Sequence, residues 1–316
     1  LENLESFQGQ KGFSFVKGNI LDQALFLKTL QDYSVDWVAH FAAESHVDKS
    51  ITGPGAFIET NVNGTFSLLS AARAYFESLP AASKEGFRFL HVSTDEVFGE
   101  LGPTGKFSET TPYAPNSPYS ASKAGSDLLV RAWHHTYGLP TIITNCSNNY
   151  GPRQFPEKLI PHMIFCALQG KALPVYGKGE NIRDWIHVQD HSRGVLLALE
   201  KGRTGDTYCF GGNSERKNLE VVHALCRILN ELRPRAGGAK YEELIRFVSD
   251  RPGHDFRYAI DDSKAQQELG YVHEFKNFEM GLRATVEWYL DHIDWSRRVT
   301  SKDGVKVTYD WASIVG

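Results

Sequence analysis

A doubly wound α/β fold, in which helices cover both faces of a parallel sheet beside a smaller C-terminal α/β lobe for substrate, is predicted on three observations. In the first half, short apolar runs alternate with amphipathic stretches, the pattern of repeated βα units. Three of those runs end abruptly in polar loops, where an open parallel sheet offers its carboxyl edge to a ligand. From Phe155 onward the pattern loosens into shorter elements joined by loops rich in Gly, Pro, Arg and Asn.

In chain order, residues 13–16, 37–42, 87–92 and 141–146 read as strands, and 21–31, 56–76 and 118–137 as helices. The last is the best punctuated: Asn116 and Ser117 can cap it, Pro118 suits its first turn, and Gly138 with Pro140 ends it. In the second half, 173–176, 207–210 and 245–248 read as strands, and 156–168, 189–200, 219–231 and 278–290 as helices. The division expected is a nucleotide-binding unit over 1–152 and a substrate lobe over 153–316, with some segments returning to the first unit.

Composition narrows the partners. The chain has 316 residues, 41% hydrophobic and 23% charged, with net charge −4 and no block of like charges. Neither nucleic acid nor an anionic membrane is therefore expected, and a small molecule is. The four cysteines are widely spaced without a C-x-x-C, which points to buried reduced thiols and a cytoplasmic setting. No apolar run reaches membrane length, the first residues are not signal-like, and no His/Cys/Asp cluster has metal-ligand spacing.

The chemistry is carried by polar loops. After the second strand-like run come Glu44, Ser45 and His46; after the third Ser93, Thr94, Asp95 and Glu96; after the fourth Ser147, Asn148 and Asn149. In "YSASK", Tyr119 and Lys123 stand four apart on one face of the capped helix. An ammonium beside a phenol favours phenolate, so such a pair can take a proton from an alcohol near neutral pH. Tyr/Lys pairs are common on helix faces, and a lone Asp-Glu pair is ordinarily a solvated turn. What adds weight is their common placement at strand ends of one βα scaffold.

Tyr119 and Lys123 with Thr94 resemble the catalytic triad of the extended short-chain dehydrogenase/reductase family, which has a Rossmann-like fold. "AAESHVDKSI", "STDEVFGE", "SPYSASKAGSD", "TNCSNNYGPRQFPEKLIP" and "DRPGHDFRYAID" are similar, within it, to the dTDP-glucose 4,6-dehydratases of deoxysugar (for example dTDP-rhamnose) biosynthesis. The resemblance implies NAD as cofactor, dTDP-glucose as substrate, and catalysis by Thr94, Asp95, Glu96, Tyr119 and Lys123. Cofactor contacts implied are Asn19, Ile20, Phe41, Ala42, Ala43, Thr60, Tyr119, Lys123 and Asn149. Around the sugar nucleotide it implies Ser45, His46, Thr94, Asn148, Lys158, Leu159, Pro174, Val175, Tyr176, Arg183, Asn218, Asp250, Arg251, Pro252, Gly253 and His254, with Arg183 and Arg251 on the phosphates. It also implies a homodimer joined through helices 56–76 and 118–137.

Three departures from the family pattern are visible. The Gly-rich strand, turn and helix that opens the dinucleotide fold is absent from the sequence, a difference of about 40 to 50 residues. Asn19 stands where the family usually has Asp, and Phe98 where Tyr is common. Two other readings share parts of the pattern. A nucleotide-sugar 4-epimerase or decarboxylase would use Thr94, Tyr119 and Lys123 but give Asp95 and Glu96 no task. An inactive nucleotide-sugar-binding fragment would keep the pocket without the redox centre.

Overall fold

The computed structural model describes residues 2–301, 309–311 and 314. Nine strands are described: β1 (Trp37–His40), β2 (Arg88–Thr94), β3 (Thr141–Cys146), β4 (Asn148–Tyr150), β5 (Leu173–Tyr176), β6 (Ile182–His187), β7 (Thr207–Phe210), β8 (Glu215–Lys217) and β9 (Ile245–Val248). The main sheet is parallel, in the order β1-β2-β3-β7. Smaller sheets join β4, β6 and β8, and β5 with β9.

Side-chain alternation explains why the main sheet is covered on both faces. On β2, Phe89 joins a core with Leu69, Val130 and Ile143, while its neighbour Leu90 joins another with Ile142, Val195, Tyr208 and Phe210. Each of these side chains is nearly or fully buried, worth about 1.5–3 kcal/mol apiece. The second lobe has its own core around Phe165, Trp185, Leu225, Leu282 and Tyr289. β7, late in the chain, crosses back to pair with β3.

Helix Pro118–Tyr137 starts and stops as the sequence predicts. Ser117 accepts from the Ser120 N–H at 3.0 Å while the Ser117 N–H donates to Ser120 Oγ, and Gly138 closes the helix at φ 68°. Strands 141–146, 173–176, 207–210 and 245–248 have the expected bounds.

Three expectations are corrected. Residues 13–16 form no strand: they find no ladder partner among the described residues, and Phe15 and Val16 are exposed. The strand expected over 37–42 stops at His40, and Phe41 turns out to solvent. Helix 56–76 is broken into a short turn, a π-helical segment Ile58–Gly64 and helix Thr65–Ser78. The break places Asn61 where its amide binds both Glu44 (2.9 and 3.0 Å) and Ser122 Oγ (2.9 Å). Tertiary hydrogen bonds thus override helical periodicity, as π-bulges at functional sites commonly reflect. No described helix is long and apolar enough to cross a membrane.

Candidate active site

β2 delivers Thr94 to the carboxyl edge of the sheet, and the neighbouring strand fixes it there. Asn145 on β3 donates to the Thr94 carbonyl at 2.9 Å. The Thr94 hydroxyl accepts from the Glu96 N–H (3.3 Å), capping the short turn Asp95–Phe98, and donates to Asp95 Oδ1 (3.2 Å). Val97 and Phe98 are buried behind the turn, Phe98 against Phe107 at 5.2 Å between ring centres. Gly99 ends it at φ 85°, where a Cβ would lie 2.4 Å from the Ala114 carbonyl oxygen. Only glycine fits there.

The two carboxyls of this turn have unlike surroundings. Burial pushes Asp95 well above the carboxylate range, and the nearby Glu96 and Asp184 push it further. Burial raises Glu96 as well, but Arg183, Arg251 and Lys158 pull it back. Asp95 is thus the group that keeps a proton and Glu96 the better base.

Tyr119 and Lys123 lie on the first turns of the capped helix, both buried. The expectation that Lys123 lowers the phenol is corrected for the protein alone. Burial, Glu96 and Cys146 push Tyr119 well up, opposed by the nearby Thr94. Lys123 instead donates to the Val92 carbonyl (2.9 Å) and meets His91 Nε2 at 3.3 Å. Asp127, one helical turn on, faces His91 at 3.1 Å and accepts from Ser93 (2.7 Å) and Tyr113 (2.9 Å). Its carboxylate opposes the loss of charge that burial imposes on Lys123.

A cleft of about 500 Å³ is lined by residues from both halves of the chain. Of the residues expected around substrate, it is lined by Ser45, His46, Asn148, Lys158, Leu159, Pro174, Val175, Tyr176, Arg183, Asn218, Arg251 and His254, and Glu96 opens onto it. Thr94 lies buried behind it, and Asp250, Pro252 and Gly253 stand outside its lining. Arg183 commits its Nη atoms to the carbonyls of Ile182, Asp255 and Phe256 and stacks over Tyr258 at 4.3 Å. Its charge is among those that draw Glu96 down. Arg251 reaches across the cleft to Asp48 at 3.0 Å, and Tyr176 donates to the same carboxylate at 3.1 Å.

Sequence reasoning missed Asp48, Lys49, Glu157, Trp185 and Tyr258 in this lining, and Asn61 and Asp127 behind it. Asp48 and Lys49 lie inside a quoted motif, and Asp127 follows Lys123 by one helical turn, so spacing could have found them. Glu157 and Tyr258 also lie inside quoted motifs, whereas Trp185 carries no such signal.

A second groove, about 1020 Å³, runs beside β1. Asn19, Ile20, Phe41 and Ala42 wall it together with Gly18 and His40. A Cβ on Gly64 would lie 2.4 Å from Ile20 Cδ1, so glycine is what lets Ile20 lie back from the groove. From His40 the contact runs to the His91 ring, 5.0 Å between centres, and on to Lys123. An apolar wall with an amide at one side and a buried ammonium beyond fits a nicotinamide dinucleotide. Ala43 and Thr60 are half-buried outside the groove lining, and Asn149 sits on β4 with His191 Nδ1 3.0 Å from its Oδ1.

Comparison with known proteins agrees with this geometry. A family model described as GDP-mannose 4,6 dehydratase matches residues 1–285. The dTDP-glucose 4,6-dehydratase of Xanthomonas campestris pv. campestris (strain B100) is 59% identical over 299 residues, spanning 95% of this chain and 85% of that protein. That of Neisseria meningitidis serogroup B is 55% identical over 302 residues, with the same shares covered. The crystal structure of DesIV, a dTDP-glucose 4,6-dehydratase from Streptomyces venezuelae with NAD and TYD bound, superposes with a TM-score of 0.84 at 44% identity, covering 94% of this chain and 85% of that one.

Proposed function

This chain belongs to the GDP-mannose 4,6 dehydratase family, among its dTDP-glucose 4,6-dehydratases, and from that premise we propose how its own residues turn dTDP-glucose into dTDP-4-keto-6-deoxy-glucose. It is an NAD-dependent lyase of nucleotide-sugar metabolism. The C5 hydrogen of a glucosyl unit is not acidic, so elimination must be preceded by oxidation at C4, which makes C5 an α-carbon. When bound, NAD would supply the hydride acceptor for C4 and the hydride donor for C6, with no net redox change. The groove walled by Asn19, Ile20, Phe41 and Ala42, with Tyr119 and Lys123 beyond it, is where these residues would hold it.

Tyr119 takes the C4 hydroxyl proton while Lys123 supplies positive charge and Thr94 holds the C4 oxygen. Glu96 takes the C5 proton, and Asp95 protonates the departing C6 hydroxyl; Glu96 then returns its proton to C5. The cleft residues Lys158, Arg251 and Tyr176 receive the nucleoside diphosphate, with Arg251 exchanging Asp48 for phosphate oxygens. The observation that carries this reading is the opposed surroundings of Asp95 and Glu96, since elimination needs an acid and a base at one place.

Two coarser features complete it. Ile58, Phe66, Leu128 and Tyr137 expose apolar surface along the broken and capped helices, which supports a homodimer packed there. The four cysteines are free thiols, in keeping with a cytoplasmic enzyme.

The test is mass spectrometry of dTDP-glucose incubated with the protein and NAD. Loss of one water is expected, and Glu96→Gln or Asp95→Asn should slow it by about 10²–10⁴-fold. An epimerised product of unchanged mass, or full activity in both variants, would refute the reading.

A further inference from the structure

Part of the cleft lining has no task in the reaction. Next to Lys158 and Tyr176, the lining continues through Leu159, His162 and Met163 on helix Leu159–Leu168 and through Val175 on β5. Residues three and four apart share a helix face, so Leu159 and Met163 flank His162 with apolar surface. His162 is the polar group of this stretch.

The hydrogen bonding of His162 is settled from behind the cleft. Tyr309 donates its phenol hydrogen to the Pro156 carbonyl at 2.8 Å, and it has only one to give. Towards His162 Nδ1, also 2.8 Å away, the phenol oxygen can therefore only accept, so Nδ1 carries the ring proton. Burial lowers the proton affinity of the ring, which stays neutral with Nε2 as a bare acceptor. Cys166 Sγ lies 3.5 Å from Nε2 and 4.0 Å from Nδ1. Distances so alike put the sulfur to one side of the ring, off the in-plane line of the Nε2 lone pair. Tyr309 is not part of the cleft lining. The Nδ1 edge it holds is thus turned from the cleft, and the edge with Nε2 is the one His162 contributes to it.

We propose that His162 Nε2 accepts a hydrogen bond from the imide N–H of the nucleotide base, so that His162 selects thymine or uracil over cytosine, with Tyr309 as the positioning residue that fixes its tautomer. The inference rests on the reading of this cleft as the dTDP-glucose site. Leu159, Met163 and Val175 supply the apolar surface that a flat base requires, and Asn218, in the same lining, carries an amide donor for a base carbonyl. Cytosine has a lone pair where thymine and uracil have the imide hydrogen. Two acceptors would then meet, and neither would be satisfied away from water.

The test is calorimetric binding of dUDP and dCDP, whose bases differ only along the Watson–Crick edge, to the NAD-loaded protein. Wild type should prefer dUDP. His162→Leu, which removes the acceptor at little cost in volume, should lower the ratio of affinities by about tenfold. Tyr309→Phe, which leaves His162 in place but frees its tautomer, should lower it by about threefold. A ratio unchanged in His162→Leu overturns the inference, and so does a wild type that does not distinguish the two nucleotides. If circular dichroism shows that His162→Leu does not fold, Tyr309→Phe decides, and an unchanged ratio there overturns the inference equally. Wild type that binds neither of these nor dTDP removes the functional reading as well, whereas dTDP binding with an unchanged ratio removes the inference alone.

Discussion

At the residue scale, neighbours set what each titratable group does. His191 is buried, with Asn149 Oδ1 3.0 Å from its Nδ1 and no partner at Nε2 among the described residues, and burial pushes it down to about 4. Its folded value lies below the ordinary 6.5, so the unfolded chain takes up its proton first as pH falls. The stability tied to a neutral ring is therefore complete above pH 6.5 and lost progressively towards pH 4. The stability difference between wild type and His191→Gln should shrink by about 3 kcal/mol from pH 7 to pH 4. Urea unfolding at three pH values measures it, and a constant difference would mean the ring titrates normally. The same dependence on neighbours divides Asp95 from Glu96. Both were legible as candidate catalytic groups, with Asp95 as acid and Glu96 as base by resemblance, but their unlike surroundings come from Asp184, Arg183, Arg251 and Lys158, distant in sequence.

At the element scale, close approach between helix and sheet positions the site. Gly194, on helix Val188–Lys201, faces Phe210 of β7, and a Cβ there would lie 2.6 Å from the ring. Helix propensity favours alanine by about 1 kcal/mol, but overpacking a close contact costs about 1–3 kcal/mol. Gly194→Ala is therefore expected to lower the melting temperature despite the better helix former, and calorimetry showing a rise would contradict this. The capped helix was readable because its signals, Ser117, Pro118 and Gly138, are local. The π-helical break was not, because Asn61 answers to Glu44 and Ser122, contacts that no local pattern records. Residues 13–16 failed in the opposite sense: the apolar run was present, but a strand also needs a partner for its backbone.

At the scale of the whole molecule, the exposed apolar side chains on the two long helices set the remaining prediction. Phe66 is 48% and Leu128 58% exposed. Phe66→Glu combined with Leu128→Glu should convert a dimer to a monomer in sedimentation velocity; unchanged sedimentation would place the dimer interface elsewhere or show that none forms. Long-range polar contacts join the two halves of the chain, Arg251 to Asp48 and Lys158 to the Ser45 carbonyl at 2.8 Å. By itself the sequence determined the α/β class, most strand and helix bounds, the strand-end turn that holds Thr94, Asp95 and Glu96, and the capped helix that carries Tyr119 and Lys123. Those features depend on periodicity, caps and spacing, which act over a few residues. Only the tertiary structure decided the order β1-β2-β3-β7, the cleft lined from both halves of the chain, and the unlike surroundings of Asp95 and Glu96. These depend on burial and on charges brought together from distant parts of the chain, and electrostatic energy follows distance in space rather than separation in sequence.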